Sequence, residues 1–102
     1  MRQLRDLAHA RAGDKGDISN ISLIAHDPAD YPLLVRAVTA ERVRRLFGSV
    51  VTGEVIRYEL PTIAALNFVL HGALGGGVTR SLALDAHGKC LGQILLGLTI
   101  ED

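Results

Sequence analysis

The sequence predicts an α/β fold, an α+β two-layer sandwich in which one mixed β-sheet carries its helices on one face. Residues 4–11, 21–26, 55–60 and 82–100 alternate with the period of strands, residues 33–47 and 63–70 space their apolar positions as helices do, and the two kinds of segment interleave. The resulting order is strand, strand, helix, strand, helix, strand, strand. It contains two crossovers, with a hairpin at each end.

In the first strand His9 and Arg11 fall on one face and Ala8 and Ala10 on the other, a small face suited to close packing under a helix. Gly13 to Asp17 turns the chain, and Ile21, Leu23 and Ala25 give the second strand its apolar side. Pro28 and Pro32 cannot donate to a sheet ladder, so the strand stops there and a helix begins with Pro32 in its first turn. Leu33, Leu34, Val38, Val43, Leu46 and Phe47 carry that helix to Gly48, with Thr39 capping a second piece from Ala40. Arg42, Arg44 and Arg45 read as its solvated face.

Val55 to Leu60 alternates as a strand with one face buried, and Pro61 ends it. From Ile63 to Leu70 the spacing predicts a helix that is apolar almost all round, and such a helix needs cover on both sides. The sheet supplies one side, and a partner subunit or another domain is expected on the other. Asp85-Ala86-His87-Gly88 has hairpin-turn chemistry, and Cys90, Gly92, Ile94, Leu96, Leu98 and Ile100 form the expected inward face of a long last strand.

With 102 residues the chain is read as one domain, 1–102, and with 48 % hydrophobic and 22 % charged residues it folds rather than staying disordered. Eleven basic residues balance eleven acidic ones without runs of either sign, so no nucleic-acid surface is expected. No stretch reaches the roughly eighteen apolar residues of a membrane span. A cytoplasmic location is expected, and the single Cys90 fits a reducing compartment.

Two polar, glycine-rich clusters stand apart from this framework. The first, His9 to Asn20, gathers an imidazole, a guanidinium, an ammonium, two carboxylates and an amide. The second runs from Asn67 to Arg80 and can converge on it. Gly13-Asp14-Lys15-Gly16-Asp17 lacks the order of a P-loop, and Gly72 to Gly77 opens no helix, so neither is a familiar phosphate motif. Glycine-rich turns still present backbone amides to an anion. The expected ligand residues are Arg11, Gly13, Asp14, Lys15, Gly16, Asp17, Asn20, Gly75, Gly76, Gly77 and Arg80, with an anionic small molecule as the ligand. Asp14 and Asp17 either pair with Lys15 and Arg11 or hold a hard cation; no metal or cofactor is assigned. The blander alternative is that both clusters serve only turn geometry.

The two clusters, as His9-Ala10-Arg11-Ala12-Gly13-Asp14-Lys15-Gly16-Asp17 and Asn67 to Leu82, together with Tyr58-Glu59-Leu60-Pro61, resemble the C-terminal domain of the acyclic terpene utilisation (AtuA) family over nearly the whole chain. The resemblance implies a ferredoxin-like fold. It also implies a link to bacterial breakdown of citronellol- and geraniol-type terpenes and branched acyl-CoA intermediates. In that family the domain usually follows a much larger one, so this chain looks like a free-standing version. The expected role is a small accessory subunit or binding module that docks on an AtuA-like large protein or on itself as a homo-oligomer. The alternative is an enzyme acting on an acyl-CoA or a carboxylic acid, with His9 or His71 as general base and Asn67 as oxyanion donor.

Overall fold

The computed structural model describes residues 2–15, 18–48, 51–72 and 89–101, with 14, 15, 89 and 90 by backbone alone. The chain runs β1 (Arg2–Gln3), β2 (Ala8–Lys15), β3 (Ile18–Ala25), α1 (Tyr31–Ala37), α2 (Ala40–Phe47), β4 (Val55–Leu60), β5 (Ala65–His71), α3 (Lys89–Leu96) and β6 (Thr99–Ile100). Strands β2, β3, β5 and β4 form one sheet in that spatial order, and β1 pairs with β6 beside it. Every described pairing is antiparallel, where the sequence predicts a mixed sheet. The architecture is an α+β sandwich of the ferredoxin-like kind.

β2 and β3 pair along their full lengths, from Ala8 opposite Ala25 to Lys15 opposite Ile18. Gly13, Asp14 and Lys15, expected in a turn, therefore belong to the strand. The alternation anticipated in both strands is present: Ile21 and Leu23 are buried, while His9, Arg11 and Asn20 are exposed.

The helical region divides at Thr39, whose hydroxyl accepts from the Arg42 amide at 3.1 Å and so caps α2. Gly48 closes α2 with a positive φ of 51°, a backbone angle glycine takes without a Cβ clash. Two of the arginines expected to face water are instead tied down. Arg42 Nη2 donates to the Thr99 carbonyl and Arg44 Nη1 to the Gly53 carbonyl, so they fasten α2 to β6 and to the approach to β4. Loop and strand-end carbonyls need donors, and guanidinium groups reach them. Arg45 stays solvated, in a loose 4.0 Å pair with Glu41.

Two elements differ in kind from the sequence reading. The stretch expected to be a helix over Ile63 to Leu70 is a single short turn, Pro61–Ile63, followed by Ala64 in the left-handed region and then β5. β5 is an inner strand, bonded to β3 on one side and β4 on the other. That position explains an apolar run without a charged stripe, because an inner strand has no edge in water. The need for a partner to cover a second helix face disappears with the helix. Conversely, the first part of the expected last strand is α3, and only Thr99–Ile100 is extended. Residues 82–88, with the expected hairpin, lie outside those described.

All three helices among the described residues pack on one side of the sheet. Leu66, Phe68 and Leu70 of β5 point into the core with Leu34, Val38 and Val43. Arg57 of β4 donates to the carbonyls of Val35 at 2.7 Å and Val38 at 3.1 Å, satisfying the end of α1. α3 lies over β2: a Cβ built on Gly92 would stand 3.5 Å from that of Ala10 and 3.9 Å from that of Ala12. The small face foreseen for β2 thus seats a glycine-bearing helix. No helix among the described residues is long and apolar enough to cross a membrane.

Candidate functional site

The opposite side of the sheet carries no helix among the described residues, and the strand registers decide what stands on it. Antiparallel partners share a face, so each cross-strand row can be read directly. One row is His9, Ile24, Ala65 and Leu60; the next is Arg11, Ser22, Asn67 and Tyr58. A third holds Gly13, Asn20, Val69 and Ile56, and the last sets Lys15 and Ile18 beside His71. Six residues singled out from the sequence, His9, Arg11, Gly13, Asn20, Asn67 and His71, therefore lie on one surface, with Lys15 at a register position of the same set.

At its centre the two clusters meet. Asn67 Nδ2 donates to Asn20 Oδ1 at 2.7 Å and to Ser22 Oγ at 2.9 Å, so residues 47 positions apart share a bonded amide pair. Ser22 was not among the expected site residues. The signal that could have found it is its spacing of two from Asn20, which places both on one side of a strand. Beside them Arg11 is exposed and has no hydrogen bond or ion pair among the described residues. The sheet's two acidic residues, Asp14 and Glu59, fall in rows with Ser19 and Leu66 on the helix side. Among the described strand residues the free face thus has cationic and amide character, and its register positions hold no carboxylate.

The two imidazoles expected as bases, His9 and His71, are far from each other. His9 pairs with Ile24 and His71 with Ile18, six residues further along β3, which separates their rows by about 20 Å at ~3.3 Å per residue. Asn67 and His71, neighbours had they stood on a helix, are four strand residues and about 13 Å apart. A base and oxyanion donor drawn from these three are not in mutual contact. His9 instead stacks on His26, with ring centroids 5.6 Å apart, and His26 Nε2 lies 3.2 Å from the Arg5 carbonyl oxygen. The expected ligand residues Gly16, Asp17, Gly75, Gly76, Gly77 and Arg80 lie outside the described residues. Among those described, no three His, Cys, Asp or Glu residues group as a metal site requires.

Toward β4 the same face turns apolar. Tyr58 is 51 % exposed and Leu60 39 %, and Ile63, in the turn beyond, is 61 % exposed. Alternation predicts one buried face for this strand; the register puts Ile56, Tyr58 and Leu60 on the helix-free side, while Arg57, which reaches α1, and the exposed Glu59, ion-paired with it at 2.9 Å, fall on the helix side.

The family model described as the AtuA ferredoxin-like domain matches residues 2–101. Among curated proteins and among solved structures nothing matches.

Proposed function

The chain belongs to the AtuA ferredoxin-like domain family, and on that premise we propose that it is a binding module of AtuA-type systems, docking through the helix-free face of its sheet on a larger AtuA-type protein. The observation that carries this reading is the apolar margin of that face. An antiparallel sheet with one side in water ordinarily alternates to polar residues there. Here the outward positions of β4 are Ile56, Tyr58 and Leu60, continued by Ile63. Tyrosine and large aliphatic side chains are effective anchors when a partner desolvates them.

The test is co-elution of the purified chain with the large AtuA-type protein of the same organism, with mass read by light scattering. A complex is expected, lost in Tyr58→Glu and Ile63→Glu chains and kept in Ile94→Glu, which alters an exposed apolar residue of α3 on the helix side. Failure to form a complex, or one indifferent to the β4 variants, would defeat the proposal. A homodimer broken by the same variants would make the occupant a second copy.

A further inference from the structure

We propose that Arg11, Asn20 and Ser22 form an oxyanion-binding site, for a carboxylate or a phosphate group, at the polar centre of the helix-free face. It shares that face with the proposed docking margin but does not depend on docking. The first support is the direction of the hydrogen bonds. Asn67 spends both hydrogens of its amide nitrogen on Asn20 Oδ1 and Ser22 Oγ. An asparagine whose oxygen is held in this way presents its own NH2 group, and a serine whose oxygen accepts is left with its O–H to donate. The cluster therefore offers donors, with Asn67 Oδ1 the acceptor it retains. Arg11 stands opposite Ser22 in the register and diagonal to Asn20, Cβ separations of about 5 Å and 7–8 Å that its long side chain spans. Guanidinium, amide and hydroxyl donors at neighbouring register positions, with no carboxylate among the described strand residues of that face, suit an oxyanion.

The second support is Gly13, the strand partner of Asn20. Glycine inside a strand weakens it and ordinarily answers to a positive φ or to a close neighbour. Gly13 has neither: its φ is not positive, and a Cβ built on it meets nothing within 4 Å among the described residues. Among the described residues, its missing side chain leaves open space at the strand position beside Asn20. Along β2 the register sets Arg11 and Lys15 diagonal to Asn20, on either side of Gly13. An oxyanion, the shared chemistry of a carboxylate and a phosphate, matches this arrangement.

Titration of the isotopically labelled chain with sodium acetate, followed by NMR against sodium chloride at equal ionic strength, tests the site. Saturable shifts are expected at Arg11, Gly13, Asn20, Ser22 and Asn67, and the tighter of acetate and methyl phosphate in parallel titrations identifies the group. Arg11→Gln should weaken acetate about tenfold or more, the scale of a lost charge-assisted hydrogen bond. Gly13→Val should weaken it comparably while leaving thermal stability unchanged or raised, a result that a structural role for the glycine forbids. Ile63→Glu should lose docking and keep acetate, so failure of either reading is visible without the other. Shifts linear in acetate and in methyl phosphate and matched by chloride, unaltered binding in Arg11→Gln, or a destabilised Gly13→Val chain would each overturn the proposal.

Discussion

The two faces of the four-stranded sheet are built from the same strands and differ in almost every other respect. On the helix side Ile21, Leu23, Leu66, Phe68 and Leu70 are all wholly buried. One residue along, on the other side, stand Asn20, Ser22, Asn67, Val69 and His71, exposed or half-buried. The side-chain period of two lets a single strand carry two independent instructions. One set of positions fixes the fold, and the other is left open to recognition.

The contrast breaks first if neighbours on β5 respond alike. Phe68→Ala, which empties a wholly buried site, should lose about 3–5 kcal/mol of unfolding free energy in denaturant titrations. A loss below about 1 kcal/mol would mean that this face is not the core. The next largest effect belongs to Gly92, where α3 meets Ala10 and Ala12 at ordinary contact distance. Gly92→Leu should overpack the seam and lose about 1–3 kcal/mol, whereas Gly92→Ala, adding one methyl to a helix, should gain about 0.5–1 kcal/mol, read as a higher melting temperature. On the free face Asn67→Ala removes two hydrogen bonds at a half-buried position and should lose about 1–2 kcal/mol. The smallest change is expected for Val69→Thr, within about 0.5 kcal/mol, because its neighbours leave it partly in water. An effect as large as that of Phe68→Ala would show that something covers this face.

Much of this division was legible in the sequence, because short-range signals carry it. Alternation places His9 and Arg11 opposite Ala8 and Ala10, Pro32 and Thr39 mark where helices begin, and Pro61 ends β4. The failures share a cause: both concern segments whose apolar residues satisfy two periods at once. In Ala65–His71 the strand period is carried by Asn67 and His71 alone, and the same two residues also stand one helical turn apart. The turn that separates β5 from β4 uses Ala64 at a φ of 52°, which no glycine or asparagine announces. In Lys89–Leu96 Gly92 argues locally against a helix, and its reason lies some eighty positions away in the methyl groups of Ala10 and Ala12. The polar centre was half visible: each cluster could be seen, but the bond from Asn67 to Asn20 depends on β3 and β5 being neighbours. With β5 misread as a helix, that adjacency could not be foreseen.

The pairing of β1 with β6 has a topological consequence. Arg2 stands opposite Ile100 and Gln3 opposite Thr99, so the two ends of the described chain are one ladder spacing apart, about 5 Å. Splicing those ends and opening the backbone between β2 and β3 would yield the succession β3, α1 with α2, β4, β5, α3, β2. That is the split βαββαβ wiring of ferredoxin-like domains, with its seam moved to a different loop. Strand neighbours and both faces are unchanged by such a relocation, so a permuted chain starting at Ile18 keeps the Arg11, Asn20 and Asn67 rows intact. The helix-free face is a property of the sheet, indifferent to where the thread is cut.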